Sequence, residues 1–195
     1  MNTTSLVLAG ALALAANAVP LAGHSHHQHL HTKRDDTFNI HVLNSCPDTK
    51  SFGLFQIDAS FNMNSMSDPV SVTSGQQATI PASFTAIGMR LSATADQGTA
   101  AQWDPQALFE FGYSSYGGQD GTAYDVSLMS GSPADIATGV AIYPLGPSDC
   151  PIKVCTLDSC DPSQGWTSPG QVDAGSPGDT VCYHGVTDFR VVFCP

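Results

Sequence analysis

Glu110 and Asp125 are two acids whose type and spacing could do chemistry together. Each lies in a short stretch that alternates as a strand, Ala107-Leu-Phe-Glu-Phe-Gly-Tyr113 and Ala123-Tyr-Asp-Val-Ser-Leu-Met-Ser-Gly131. A period of two puts Phe109, Phe111 and Tyr113 on one face of the first strand and Leu108, Glu110 and Gly112 on the other. In the second it sorts Tyr124, Val126 and Leu128 against Asp125, Ser127 and Met129. Pairing these strands antiparallel across the Gly-rich connection turns the aromatic faces inward and brings the two acids to one side of the sheet. Two carboxylates so placed suit glycoside hydrolysis, which needs one protonated and one ionised group at roughly 5 Å for retention or 6.5–9.5 Å for inversion. In that reading Glu110 is the acid and Asp125 the nucleophile or base. The competing readings are a sugar-binding face without turnover and a pair of ordinary solvated strand acids.

Aromatic side chains are the natural companions of a sugar site, because a pyranose ring stacks on an exposed ring. Trp103, Tyr113, Tyr116, Tyr124 and Trp166 are the candidates, each with a packing role as its alternative. Tyr116, in Ser114-Ser-Tyr-Gly-Gly-Gln-Asp120, is expected at an exposed loop tip; with Trp103, Glu110 and Asp125 it forms the expected ligand-binding set. Other chemistries lack their signatures: the chain has no Gly-x-Ser-x-Gly elbow, phosphate loop or His-Glu-x-x-His helix. His41 and His184 read as surface or turn residues, and no cofactor or resident metal is expected.

The compartment follows from the first residues and the cysteines. An apolar run from Leu6 to Ala16, followed by Ala16-Asn17-Ala18, reads as an export signal over residues 1–18 cut after Ala18, although no Lys or Arg precedes it. Residues 19–34 form a His-rich pro-segment, His24-Ser-His-His-Gln-His-Leu-His31, ending in the dibasic pair Lys33-Arg34 where a processing protease would cut. Imidazoles at that density could capture copper or zinc, but the segment reads as a disposable, solvated leader. The expected mature domain, 35–195, keeps four cations (Lys50, Arg90, Lys153, Arg190) against all seventeen acids, a net charge of −13. So acidic a surface repels phosphate backbones and anionic headgroups, which disfavours nucleic acid and membrane partners; neutral polymers or cationic partners are compatible with it. A secreted monomer is expected.

Six cysteines behind an export signal imply three disulfides, with fifteen pairings open in principle. The four-residue gaps between Cys150, Cys155 and Cys160 do not resemble the paired short gaps of structural zinc sites.

The elements that must position these residues are short strands. Alternation or apolar runs mark 38–42, 51–57, 86–93, 139–143 and 186–193, a hairpin is expected at 70–80 around Ser74-Gly75, and Pro144 and Pro147 are expected to stop the strand before them. No stretch offers an apolar face at helical spacing, and 42% apolar residues suffice for a core. The expectation is an all-β, antiparallel β-sandwich with a disulfide-stapled loop region over 149–179. Cys46 ends the first strand and Cys194 the last, so these two are expected to pair and sew the termini together.

Several separated pieces, in order, resemble one family. They are Phe38-Asn-Ile-His-Val-Leu-Asn-Ser-Cys46, Ser74-Gly-Gln76, Leu108-Phe-Glu-Phe111, Tyr124-Asp-Val-Ser-Leu128, Gly139-Val-Ala-Ile-Tyr143, Cys150-x4-Cys155 and Arg190-Val-Val-Phe-Cys-Pro195. Together they look like a thaumatin-like protein, closest to the small fungal secreted group described as antigenic thaumatin-like or osmotin-like. The resemblance implies a thaumatin-like sandwich, supports the Cys46–Cys194 bridge and suggests Cys150 with Cys182 and Cys155 with Cys160. It also implies a cell-wall β-1,3-glucan or a surface protein as partner. Large members carry a cleft of one Arg, one Glu and three Asp tied to glucan binding and in some cases hydrolysis. Glu110 matches the Glu and Asp125 the first Asp; Trp103 stands where the Arg is expected, Ser130 near the second Asp, and Asp179 and Asp173 are loose substitutes for the third. With the Arg missing, a binder without turnover is the leading expectation, a glucanase using Glu110 and Asp125 the second, and an effector or inhibitor of a partner protein the third.

Overall fold

Alternation sets the first strand, β1 (Thr37–Asn44), whose Phe38, Ile40 and Val42 are buried while Thr37 and Asn39 face out. In the computed structural model the described residues are 36–128, 138–156, 159–175 and 177–195. The export signal with Ala18, the His-rich segment, Lys33, Arg34, Met129 and Ser130 therefore lie outside the described residues.

β1 joins a five-stranded sheet in the order β10 (Lys153–Cys155), β9 (Val140–Leu145), β12 (Asp188–Phe193), β1, β5 (Gln77–Ser83). The second sheet runs β11 (Thr180–Cys182), β8 (Gln119–Ser127), β7 (Leu108–Tyr116), β6 (Met89–Ser92), β2 (Lys50–Ile57), β3 (Met63–Ser65), with β4 (Val70–Val72) also paired to β2. The two inner faces make the core. Phe38 meets Phe111 edge-on at 5.5 Å between ring centroids, and Tyr124 meets Phe189 at 5.1 Å, each contact linking one sheet to the other. Phe109, Phe111, Tyr124, Val126 and Leu128 are all buried, so the apolar faces read from the sequence are the core faces.

Among the strands of the described residues all pairs are antiparallel but one: β1 and β12 run parallel, in register from Ile40 opposite Phe189 to Asn44 opposite Phe193. Their carboxyl ends therefore emerge at the same edge, where Cys46 bonds Cys194 with the Cα atoms 5.0 Å apart. The other bridges are Cys150–Cys182 and Cys155–Cys160.

Three local expectations change. The 70–80 stretch is no hairpin: β4 pairs with β2 in one sheet and β5 with β1 in the other. The Ser74-Gly75 turn closes through Gln76 N–H to the Thr73 carbonyl at 3.0 Å and is also tied to Asn44, Gly75 N–H donating to the Asn44 carbonyl at 2.7 Å and Asn44 Nδ2 to the Val72 carbonyl at 2.8 Å. Secondly, β7 and β8 extend to a two-residue turn at Gly117-Gly118, whose φ values of 61° and 79° are those of a turn that follows the strands' twist. Thirdly, β9 runs through Pro144, which pairs with Phe189. β10 reaches only as far as Ile142, so the missing Pro144 N–H falls beyond that ladder.

The 149–179 region is more than stapled. Trp166 N–H donates to the Val126 carbonyl and Leu128 N–H to the Trp166 carbonyl, both at 2.7 Å, so the lobe is laced along β8.

Candidate functional site

Register builds the site. Arg90 of β6 stands opposite Glu110 of β7, and Glu110 opposite Asp125 of β8, a row of three charged side chains across adjacent strands on the outer face of the sheet. Cross-strand partners have Cβ atoms about 4.5–5.5 Å apart, so neighbours in this row interact directly. Asp179 precedes Thr180, which pairs with Tyr124, and so continues the row beyond Asp125. Trp166 Nε1 donates to Asp179 Oδ1 at 2.6 Å and fixes that carboxylate.

Arg90, which the sequence reading did not place in the site, pairs with Glu110. Its Nη2 donates to Glu110 Oε1 at 2.9 Å and its Nη1 to the Gln102 carbonyl at 3.1 Å. Trp103 keeps a part, since its ring lies 5.8 Å from the Arg90 guanidinium carbon, within cation–π range. Two short 3-10 turns, Ala95–Gln97 and Ala100–Trp103, cap this end of the outer face. Buried Gln102 and Gln106 anchor them: Gln102 Nε2 donates to the Thr94 and Gly98 carbonyls, and Gln106 Oε1 accepts the Ser92 hydroxyl at 2.6 Å.

Burial pushes the Asp125 carboxyl up to about 8, reinforced by the charges of Glu110 and Asp179 and partly offset by Lys153 and Arg90. Its Oδ1 is sealed from solvent without a hydrogen-bond partner. Near neutral pH Asp125 is therefore mostly protonated, while Glu110 is paired with a guanidinium. Asp125 thus presents a protonated carboxyl beside Glu110, whose carboxylate is bonded to Arg90. Lys153, buried on β10, donates to the Ser163 carbonyl at 2.6 Å, and burial holds its ammonium below the usual lysine range.

Beside the row lies a groove of about 490 Å³ lined by Glu110, Asp125 and Asp179, floored by Gly112 and Ala123 and walled by Ile57 and Ile87. On the other side of Glu110 a recess of about 170 Å³ is lined by Arg90, Trp103, Gln106, Leu108 and Ser127. The register places Gly112 opposite Ala123 on the outer face, and the bare Gly112 lets the backbone of Ile87, which walls the groove, pack close over it.

The other candidates scatter. Trp103, 51% exposed, lines the smaller recess. Tyr116 is 78% exposed, but it lies six residues along β7 from Glu110, about 20 Å away, beside the two-glycine turn. Tyr113 donates to Asp120 Oδ1 at 2.7 Å and packs edge-on against Phe84; Tyr124 is a core residue. Asp173 is exposed on the 3-10 turn Pro169–Ala174 and does not line the groove. His41 Nδ1 lies 3.0 Å from Thr79 Oγ1. His184 pairs with Asp149 at 2.9 Å; Cys150 lies beside them, but its sulfur is committed to Cys182, so the trio offers a metal two exposed ligands.

Sequence reasoning missed Arg90, Lys153 and the two glutamines. A signal for Arg90 was present: it is the one charged residue in an otherwise apolar strand, Met89-Arg-Leu.

No protein-family model matches the sequence, and no curated protein matches it. Among solved structures the chain is similar to that of the protein elicitor MoHrip2 from Magnaporthe oryzae, with a TM-score of 0.54 and 16% identity over 81% of this chain and 99% of that one. It is also matched with the thaumatin-like xylanase inhibitor TLXI, at a TM-score of 0.46 and 12% identity over 80% of this chain and 99% of the other. At these identities the likeness is one of fold. Two packed sheets, with the first and last strands paired inside one of them and three disulfides, make this an all-β sandwich similar in fold to the elicitor structure.

Proposed function

We propose that this is a secreted protein whose outer groove binds a neutral cell-wall β-glucan without turning it over. The observation that carries this reading is the row Arg90, Glu110, Asp125 and Asp179 beside an open groove, with Trp103 across Glu110. The protonated Asp125 donates a hydrogen bond to a sugar hydroxyl, Glu110 and Asp179 accept them, and Trp103 offers a ring face. Glu110 is held by Arg90 at 2.9 Å, and a carboxylate so engaged is a poor nucleophile. Three disulfides suit an oxidising extracellular setting.

A second reading, a β-1,3-glucanase, is favoured by the raised Asp125 carboxyl directly opposite a second carboxyl group, Glu110, since hydrolysis needs two such groups. Incubating the protein with laminarin and with insoluble β-1,3-glucan separates the two. Retention on the insoluble glucan without release of sugar supports the binder; release of sugar abolished by Asp125→Asn supports the enzyme. Neither retention nor release leaves a partner protein, for which the exposed Phe61 and Ile87 offer apolar contact.

A further inference from the structure

We propose that the acidic groove is one segment of a longer track, and that its ligand is an extended polymer chain occupying a second subsite at Tyr183 and His184. This rests on the glucan-binding reading above. Val181, on edge strand β11, lines the main groove and also a recess of about 390 Å³ whose other walls are Gln119, Tyr183, His184, Asp149 and Cys150. The smaller Trp103 recess adjoins the same groove, with Glu110 as the wall between them. Three recesses are therefore strung together by shared wall residues.

The chain builds the second subsite deliberately. A Cβ on Gly121 would stand 2.1 Å from the Cys182 carbonyl oxygen and 2.8 Å from the Tyr183 Cα, so only glycine lets residues 182–183 cross this close to β8. The crossing puts the Tyr183 hydroxyl 3.4 Å from Ser114 Oγ, on the same face of β7 as Glu110, and its ring 6.5 Å from that of exposed Tyr116. The Cys150–Cys182 bridge fastens the crossing, and the His184–Asp149 pair at 2.9 Å stands over the recess as a donor and acceptor set. From Leu108 to Tyr116, β7 spans about 26 Å. Polar walls, scattered rings and, among the described residues, no cluster of free cations fit a neutral polyhydroxyl chain, not a polyanion.

The test is calorimetric titration of the full chain with β-1,3-linked glucose oligomers of graded length, from the dimer to the octamer. Affinity is expected to rise with length past the trimer. Tyr183→Ala is expected to lower affinity for the octamer about tenfold and leave the trimer unchanged. His184→Ala, an exposed position that tests the same subsite if Tyr183→Ala fails to fold, is expected to act in the same direction, and Tyr183→Phe to retain binding. A length dependence indifferent to both Tyr183→Ala and His184→Ala overturns the second subsite and spares the groove. Absence of binding at every length overturns the glucan reading and this inference together.

Discussion

Asp125 and Glu110 face each other across the β7–β8 ladder in opposite states: Glu110 is paired with Arg90, while Asp125 Oδ1 is buried and unbonded. The row thus holds a neutral acid and a compensated carboxylate where two bare charges would repel.

That arrangement makes stability pH-dependent. With its carboxyl at about 8 in the folded chain and 3.8 as its ordinary value, Asp125 keeps its proton across a window in which the unfolded chain has lost it. The unfolded state binds fewer protons there, so folding stability falls as pH rises from about 4 to about 8, by at most about 1.4 kcal/mol per pH unit. Asp125→Asn removes the loss: it is expected to melt higher than the natural protein at pH 7–8, with the difference vanishing below pH 4. Exposed Asp58, Asp149 and Asp161, held low by hydrogen bonds, act oppositely at acid pH, but they are common to both proteins and cancel in the difference. Melting curves at several pH values decide it; equal differences at pH 4 and pH 8 would refute the neutral Asp125.

Arg90 is 8% exposed and bonds both Glu110 and the Gln102 carbonyl. Arg90→Met leaves the half-buried Glu110 without its cation, and a loss of about 2–4 kcal/mol in urea unfolding is expected. Arg90→Met combined with Glu110→Gln removes the stranded charge and is expected to recover part of it. If the double variant is as unstable as Arg90→Met alone, the pairing is not what Arg90 supplies.

How much of this was legible in the sequence follows from the range of the forces involved. The β7–β8 face assignment depends on period two within each strand and a turn between them, both local; the pairing put both acids on one side of the sheet as expected, and the register, left open by the sequence, set Glu110 directly opposite Asp125. Arg90 stood out as a charge in an apolar stretch, but its pairing with Glu110 was not legible, because that partner lies twenty residues away through two 3-10 turns with no apolar period of their own. The Asp125 acid state was likewise hidden, since it depends on burial by the 149–179 lobe, whose hydrogen bonds to β8 have no signature in composition. The Ser74-Gly75 hairpin failed for a related reason: turn residues announce a reversal, but Asn44, thirty residues earlier, decides which sheet each arm joins.

The groove floor gives a test that spares the acids. Ala123 is half-buried, lines the groove and lies opposite Gly112. Ala123→Leu fills the space where a sugar ring would lie and is expected to abolish retention on insoluble glucan while changing the melting temperature by only a few degrees. Trp103→Ala, at an exposed position, is expected to weaken retention about tenfold with little effect on stability. Full retention by both variants would remove the groove from the binding surface.

The parallel pairing of β1 with β12 puts Cys46 and Cys194 at one edge and makes their bridge the closure of the whole domain, 148 residues apart in sequence. By chain entropy alone, a loop that long restricts the unfolded state by about 5 kcal/mol, far more than the five-residue separation of Cys155 and Cys160 can. Replacing Cys46→Ala with Cys194→Ala is expected to lower stability by about 3–5 kcal/mol, and Cys155→Ala with Cys160→Ala by markedly less. Denaturant unfolding of the two paired variants measures the difference. Comparable losses would mean that the short bridge, buried at Cys155 against the core, holds the lobe by packing rather than by restricting the unfolded chain.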